Sequence, residues 1–374
     1  MESLRAEIGR PGPGRPSPIQ EAATAAREFF ALPDPRLSPL EGGRVNESFL
    51  VDSRDGRFVL QRLNSFFQGD AALGLNWRLV YQAVSQRSGQ AQPPLPPIFP
   101  DREGRYLASG PQVGGFWRLT GHQAGCPADK SAAQARLAAR LLGFFHRHLN
   151  LPAPVELEPP PEGDFTNQRL SRPEDFEDLA DRYRGHPHLE ELKPLIETSA
   201  EAARQLPTFP GFVTVFQIRD VIIHGDPKAD NFLINPAGDS GFLLDWDSVG
   251  YGHVLIDLAE MLRSWAWRNR DLASAVDQDN LAAVIQGYAE TGLELSPADV
   301  ELLPPILRAI ALNLGRRYLT DALAEVYFKW DHRNYPSLYH QNQTRAESML
   351  SLAAHLLDRE IQLIELLSQA LRLR

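Results

Sequence analysis

Cysteine is nearly absent from this sequence, which has one, Cys126, among 374 residues. A lone cysteine cannot form an internal disulfide, and no group of Cys and His residues has the spacing of a zinc site. Two structural classes are therefore excluded, small disulfide scaffolds and zinc-stabilised domains.

Long apolar runs are also missing. The sequence has no stretch of about 18 consecutive apolar residues, the length that spans a bilayer. The N-terminal segment through Pro18 lacks the apolar core of a secretory signal peptide. We therefore expect a cytoplasmic protein that has no membrane partner.

The sequence contains fewer positively charged residues than negatively charged ones. Lys and Arg number 38 against 48 Asp and Glu, which gives a formal net charge of −10 with His neutral. Such a chain has no general electrostatic attraction to nucleic acid or anionic lipid, so we expect no nucleic-acid partner. An anionic substrate would need a local cluster of cations or a bound metal. The sequence leaves the oligomeric state open.

The remaining composition is that of an ordinary globular protein, with 43% hydrophobic and 23% charged residues. A chain of this length is expected to form two domains or two lobes, with a cleft as the natural place for a site. Three segments are predicted: a flexible arm over 1–16, an N-lobe over 17–121 and a C-lobe over 122–374.

The pattern of elements predicts an α+β fold. Ser17, Pro18 and Gln20 have the order of a helix start, and Asp55-Gly56 between two β-rich runs is typical of a hairpin turn. From Ser131 onward, amphipathic helices dominate, interrupted by one β-rich island around residues 221–250. Strands first and helices later favour a small antiparallel-sheet lobe and a larger, mainly helical lobe.

The β-rich island carries most of the chemistry. His224, Asp226 and Asn231 have the spacing H-x-D-x-x-x-x-N of the protein-kinase catalytic loop, and Asp245 ends the following hairpin. In that scheme the Asp takes the hydroxyl proton, and the Asn and second Asp hold Mg²⁺. We predict these roles for Asp226, Asn231 and Asp245, and Lys228 is placed to assist the phosphates. His224 is interpreted as a structural residue.

The segments HGDPKADN and LLDWDSVG resemble the aminoglycoside phosphotransferase and choline kinase superfamily, which has a protein-kinase-like fold. GGRVNESFLV, FVLQRLN, IDLAEMLRS and GRRYLTDALAEVYFK resemble a narrower branch, the N-acetylhexosamine 1-kinases. The resemblance runs from about residue 40 to 355. It implies an ATP- and Mg²⁺-dependent kinase that phosphorylates a sugar hydroxyl.

The N-lobe departs from the kinase pattern. The glycine-rich loop is reduced to a segment from Gly42 to Ser48, in which Asn46 and Ser48 are candidate phosphate contacts. The third-strand Lys of kinases is missing, with Gln61 in its place and Arg62 beside it. The sequence contains no Glu between Glu47 and Glu103, so the Lys–Glu pair of kinases is missing. Because strand alternation sends these two side chains to opposite faces, only one can face the nucleotide. Its charge favours Arg62, at the cost of a one-residue register shift.

The remaining candidates concern adenine and the acceptor. Adenine is expected against the backbone of a crossover between the lobes at Trp117 to Gly121. Asp257 and Arg263 either buttress the catalytic loop, form a surface pair or bind substrate. A later cluster offers donors suited to sugar hydroxyls or a phosphate: Arg316, Arg317, Asp321, Tyr327 and Lys329.

Three functions follow from these features. The first is transfer of the ATP γ-phosphate to a sugar hydroxyl, most naturally of an N-acetylhexosamine or related hexose. The second is the same chemistry on an aminoglycoside or choline, which a strongly acidic pocket would favour. The third is a nucleotide-binding regulatory protein that has lost catalysis, motivated by the missing Lys–Glu pair. A regulatory protein would have no physical need for Asp226, Asn231 and Asp245 together.

Overall fold

The computed structural model describes residues 17–40, 43, 45–67, 71–111, 113–158, 170–267 and 276–372. The predicted arm over 1–16 lies outside these residues, as do Gly42 and Arg44. The chain separates into two compact units, one drawn from Met1–Gly74 and Pro97–His122, the other from Leu75–Pro96 and Gln123–Arg374. The predicted combination of a small antiparallel-sheet unit and a larger, mainly helical unit is confirmed.

The first unit is a six-stranded antiparallel sheet with one helix, α1, packed on it. The helix begins as predicted, since Gln20 Oε1 accepts a hydrogen bond of 2.8 Å from the Ser17 N–H. The predicted hairpin is also present, with Ser53 paired to Gly56 across its turn. Its elements are α1 (Pro18–Glu28), β1 (Arg36–Leu40), β2 (Glu47–Ser53), β3 (Gly56–Leu63), β4 (Ile98–Phe99), β5 (Ala108–Gly110) and β6 (Val113–Gly121).

The sheet order is β1-β2-β3-β6-β4, and β5 also pairs with β6. Alternation along the strands sends apolar side chains of β3 and β6 to one face, where they meet the alanines of α1. This face is fully buried at Val51, Leu60 and Trp117, and at Ala22 and Ala25 of the helix. The side chains of Gln61 and Arg118 belong to the opposite face, because Gln61 pairs with Arg118 in the register of the two strands.

The second unit is mainly helical. Its helices are α2 (Ala71–Ser88, from Leu75 onward), α3 (Ala132–Asn150), α4 (Pro173–Arg182), α5 (Leu189–Arg204), α6 (Pro210–Gln217), α7 (Val254–Trp265), α8 (Gln278–Ala289), α9 (Pro297–Ala324), α10 (Leu338–Asp358) and α11 (Glu360–Arg372). Its short strands are β7 (Cys126–Pro127), β8 (Val221–Ile223), β9 (Phe232–Ile234), β10 (Gly241–Leu243) and β11 (Gly250–Gly252). None of the helices in the described ranges combines the length and apolarity needed to cross a bilayer.

Residues 75–96 were expected in the N-lobe, but they group with the second unit. One contact with the rest of the second unit explains this. The side-chain amide of Asn76 donates to the Glu158 carbonyl at 2.9 Å and accepts from its N–H at 2.8 Å. The indole of Trp77 donates to the carbonyl of Pro96 at 2.9 Å, which closes the segment on itself.

Candidate active site

Strand β8 leads directly into the predicted catalytic loop. Ile222 and Ile223 are fully buried, and β8 pairs antiparallel with β11. The loop that follows ends in a short 3-10 helix, Ala229–Asn231, and β9 and β10 then return the chain to Asp245. The N–H of Leu244 donates to the Asn231 carbonyl at 2.8 Å, so the two ends of this segment lie side by side. The predicted residues Asp226, Asn231 and Asp245 therefore lie on one short segment whose two ends are joined by a backbone hydrogen bond.

The start of the loop is fixed by Asp257 of α7. Its Oδ2 accepts the N–H of His224 at 2.7 Å and its Oδ1 accepts the N–H of Gly225 at 2.8 Å. Gly225 has φ +85°, and an added Cβ would clash with the Ser248 carbonyl oxygen. Asp257 has no solvent exposure and both of its carboxylate oxygens are engaged by the loop, so a substrate role is not retained for it. Of the predicted alternatives, the structure shows the loop buttress.

His224 is a structural residue, as predicted. Its Nδ1 lies 3.2 Å from the N–H of Asp226 and accepts that hydrogen, which leaves Nε2 to donate to the Leu244 carbonyl at 2.9 Å. Burial lowers the pKa of His224 and outweighs the opposing effect of Asp257. The neutral ring therefore ties the catalytic loop to the hairpin end and takes no part as a base.

Asp226 lies at the surface of this framework, with its side chain 26% exposed. Lys228 forms an ion pair with Oδ2, and the Asn231 amide donates to the Asp226 carbonyl at 2.8 Å and to Oδ2 at 3.3 Å. Burial raises the pKa of Asp226, but Lys228, His224 and Arg317 together lower it further than burial raises it. The carboxylate is thus ionised at neutral pH and can accept a hydrogen bond from a hydroxyl.

The side-chain oxygens of Asn231 and Asp245 are suited to bind a divalent cation. Since a backbone carbonyl only accepts, the Asn231 amide nitrogen must face Asp226, and its Oδ1 accepts no hydrogen bond from any residue that the structure describes. A free amide oxygen and a carboxylate are hard ligands of the kind Mg²⁺ uses, with phosphate and water completing its shell. Within the described ranges, no three His, Cys, Asp or Glu residues form a group that could hold a metal ion.

Asp245 has the backbone conformation φ 61°, ψ 65°, in the left-handed region. Asp and Asn tolerate this region better than other residues with a Cβ. The conformation is held by its neighbours, because Leu244 bonds to Asn231 and the buried indole of Trp246 donates to the Leu243 carbonyl at 3.0 Å. A strained residue held this firmly is typical of a functional position.

Arg317 and Tyr327 both interact electrostatically with Asp226. Burial raises the pKa of the Tyr327 hydroxyl to about 12, Arg317 lowers it, and the carboxylates of Asp226 and Asp245 raise it further. The Tyr327 phenol and the Arg317 guanidinium therefore lie close enough to the catalytic loop to interact with its charges. Tyr327 was predicted only as one member of a cluster.

Asp321 has a different role from the predicted one. It is 1% exposed, and its carboxylate accepts the N–H groups of Val326, Tyr327 and Phe328 at 2.8, 2.7 and 2.9 Å. All these bonds stabilise the turn that follows α9 and presents Tyr327. The structure therefore shows Asp321 as a buried support for the turn that carries Tyr327.

Two predicted substrate arginines are engaged by protein groups. The guanidinium of Arg263 donates two hydrogen bonds to Glu260, of 2.8 and 2.5 Å. Burial lowers the pKa of Arg263, but Glu260, with smaller contributions from Tyr318 and Asp226, raises it further. Arg316 is 6% exposed and its Nε donates to the Ser171 hydroxyl at 3.0 Å. A direct substrate role is therefore not retained for Arg263 or Arg316.

In the first unit, the face opposite α1 carries a polar row. Arg118 of β6, which is fully buried, donates to Gln61 Oε1 at 3.1 and 2.8 Å. The Gln61 amide donates in turn to the Ser48 hydroxyl at 3.2 Å, and Asn46 Oδ1 accepts the N–H of Asn64 at 3.0 Å. Arg118 was missed in the sequence, because only the strand register places it beside Gln61.

The predicted choice of Arg62 over Gln61 is wrong. No register shift occurs, and Arg62 lies on the α1 face, where it pairs with Glu21 at 2.8 Å and with Glu47 at 3.7 Å. Its guanidinium also lies 5.8 Å from the centre of the Trp117 ring. Arg62 thus attaches α1 to the sheet.

Trp117 and Gly121 do not form a crossover. Both belong to β6, in which Trp117 pairs with Arg62 and Ala108, and Gly121 pairs with Phe58. The N–H of Gly121 donates to the Pro97 carbonyl at 2.8 Å. Since their backbone groups have strand partners and the Trp117 side chain is buried, neither residue is retained as an adenine contact.

Comparison with known proteins agrees with this geometry. Residues 36–294 match the phosphotransferase enzyme family, APH. A comparison with curated proteins found no relative.

Three solved structures share the fold. An amicoumacin kinase in complex with AMP-PNP, Ca²⁺ and Ami is 13% identical with TM-score 0.57, covering 89% of this chain and 93% of its own. A microcompartment-associated aminopropanol kinase is 15% identical with TM-score 0.58, covering 90% and 97%. An aminoglycoside phosphotransferase from Alicyclobacillus acidocaldarius is 14% identical with TM-score 0.54, covering 94% and 100%.

The family match includes both the polar row of the first unit and the loop from His224 to Asp257. The chain belongs to the phosphotransferase enzyme family, APH, and is a small-molecule kinase that phosphorylates hydroxyl groups.

Proposed function

We propose that this kinase uses ATP and Mg²⁺ to phosphorylate a hydroxyl of a neutral sugar, an N-acetylhexosamine or a related hexose. The observation that carries the choice of acceptor is the positive surroundings of Asp226, where Lys228 is paired to it and Arg317 acts on it. The Tyr327 hydroxyl adds a neutral donor on the same side. A neutral polyol suits these groups, whereas an amine would bring another positive charge to them.

In the proposed mechanism, Asp226 accepts a hydrogen bond from the acceptor hydroxyl and takes its proton as the bond from the hydroxyl oxygen to the γ-phosphorus forms. The bond from that phosphorus to the β–γ bridging oxygen breaks at the same time, and ADP leaves. Its lowered pKa makes it a weak base, so its main contribution is orientation, and proton transfer comes late. Asn231 and Asp245 would hold Mg²⁺, which neutralises charge on the transferring phosphoryl group when bound. Lys228 keeps Asp226 in place and supplies positive charge close to the phosphates.

We assign phosphate binding in the first unit to Arg118 with Gln61, Ser48 and Asn46. Kinases place a Lys on the third strand of this sheet and pair it with a Glu on the next helix. Here the Arg118 guanidinium and the Gln61 amide form a pair on the sheet face opposite α1. The Gln61 amide oxygen orients the Arg118 guanidinium by accepting two of its hydrogen bonds. Arg118 then provides the cation that the third strand lacks.

Replacing Arg118 with methionine should raise the KM for ATP by about 10-fold or more, the loss of one or two charge-assisted hydrogen bonds. The KM for the acceptor should change little. The matched control is Arg62→Met, which removes a guanidinium from the neighbouring strand on the opposite face and should alter the melting temperature more than the KM for ATP. Equal effects on the KM for ATP would remove Arg118 from phosphate binding.

The acceptor class is tested with three sugars that share one skeleton: N-acetylglucosamine, glucose and glucosamine, at a pH where the amine is protonated. A unit charge about 6 Å from another costs about 3 kcal/mol at an effective dielectric constant of about 20. We therefore expect kcat/KM for glucosamine to be at least ~10-fold below that for N-acetylglucosamine.

The same assay, which follows ADP release, should include choline, ethanolamine, 1-amino-2-propanol and an aminoglycoside. A preference for these cations over both neutral sugars would overturn the sugar proposal and leave the kinase assignment in place. ATP binding without turnover of any acceptor on the panel would instead favour the regulatory function.

A further inference from the structure

We propose that His146 and Tyr288 are positioning residues for phosphoryl transfer, acting through Asp257 on the backbone that carries Asp226. The inference deepens the proposed function and rests on it for its kinetic consequence. Its structural basis is a buried polar chain that joins α8, α3 and α7 to the catalytic loop.

The chain has two links of equal length. The Tyr288 hydroxyl lies 2.9 Å from His146 Nδ1, and His146 Nε2 lies 2.9 Å from Asp257 Oδ2. Tyr288, His146 and Asp257 are exposed by 1%, 2% and 0%. No water can replace these bonds at such depth, so each polar atom depends on the next one.

The hydrogens can be placed by elimination. Asp257 accepts from His224 and Gly225 and, as a carboxylate, can only accept, so His146 must carry hydrogen on Nε2. Nδ1 faces the Tyr288 hydroxyl. Burial and the nearby Asp257 raise the pKa of Tyr288, which keeps this hydroxyl protonated and able to donate to Nδ1.

A glycine allows α8 to approach α3 closely at the position of this buried polar chain. Gly287, next to Tyr288, lies so close to α3 that an added Cβ would clash with the Arg136 carbonyl oxygen. This approach brings the phenol within reach of His146. The contact is therefore a built feature of the α3–α8 packing.

The consequence concerns Asp226. Asp257 accepts the N–H groups of His224 and Gly225, the two residues that precede Asp226. The N–H of Asp226 itself bonds to the His224 ring. If His146 no longer restrains the Asp257 carboxylate, the loop backbone gains freedom where the reacting carboxylate begins. A displacement of about 1 Å at a reacting group can cost about 100-fold in rate.

The experiment compares His146→Leu, His146→Gln and Tyr288→Phe with the wild type. His146→Leu should lower kcat by about 10- to 100-fold while the KM values for ATP and acceptor stay within about 3-fold. Gln carries its amide nitrogen the same number of bonds from Cα as His Nε2, so His146→Gln should recover most of the lost kcat. Tyr288→Phe, which removes one oxygen and keeps the packing, should lower kcat by a few fold.

The matched control is His148→Leu, on the same helix, where the ring bonds to the Phe144 carbonyl and has no link to Asp257. Its kcat should stay within about 2-fold of the wild type. Equal losses in His146→Leu and His146→Gln, or a loss in His148→Leu as large as in His146→Leu, would overturn the proposal.

A second measurement needs no acceptor. Hydrogen exchange of the peptide that contains His224 and Gly225 should be faster in His146→Leu and Tyr288→Phe than in the wild type, with exchange in α9 unchanged. If the wild type turns over no acceptor, the proposed function fails, and this exchange result still decides the role of the chain. Unchanged exchange in both variants would overturn it.

Discussion

Replacing Asp226 with asparagine should lower kcat by at least about 10²-fold, with ATP binding retained. Asn keeps the size of the side chain but cannot take a proton, and it removes the negative charge that Lys228 and Arg317 surround. The measurement is steady-state kinetics on the best acceptor, with nucleotide binding measured separately by calorimetry.

The control for this variant is Asp230→Asn, an exposed carboxylate in the same loop, which should keep wild-type turnover. The pH profile adds a second check. Because the pKa of Asp226 is lowered, kcat should not fall as pH decreases through the ordinary carboxyl range on account of this residue. Near-normal kcat in Asp226→Asn would exclude Asp226 from the mechanism.

Replacing Asp245 with asparagine should also lower kcat by about 10²-fold and raise the Mg²⁺ concentration needed for half-maximal activity. A charged ligand to a hard dication becomes neutral, while Asn tolerates the left-handed backbone at this position as Asp does. The substitution therefore isolates charge from backbone strain, which alanine would not do. The measurement is a Mg²⁺ titration at saturating ATP.

Asp247→Asn is the control for that titration, since Asp247 lies two residues further along the same turn. It should shift the Mg²⁺ requirement less than Asp245→Asn does. The reverse order would assign the metal to Asp247.

The catalytic segment could be predicted from the sequence because its residues are close together in the chain. His224, Asp226 and Asn231 fall within eight consecutive residues, and a local pattern determines their arrangement. The helix start at Ser17 and the hairpin at Asp55-Gly56 were equally local, and both are confirmed.

Features that depend on distant contacts were missed. Arg118 and Gln61 are 57 residues apart, and only strand register brings them together. Helical periodicity cannot distinguish a buried Asp from an exposed one. The burial of Asp257 by α3 and the catalytic loop could therefore not be predicted from the sequence. Helix α10 ends at Asp358 and α11 begins at Glu360, and neither Pro nor Gly marks this break in the sequence.

The packing of α1 also determines which fragments of this protein can be handled in isolation. The helix covers one apolar face of the six-stranded sheet and is attached to it by the Arg62–Glu21 ion pair. A fragment that began at β1 would expose Leu60, Phe49 and the Trp117 indole to water, a contiguous patch of the kind that drives aggregation. Any shortened form intended for nucleotide-binding studies therefore has to begin no later than Ser17.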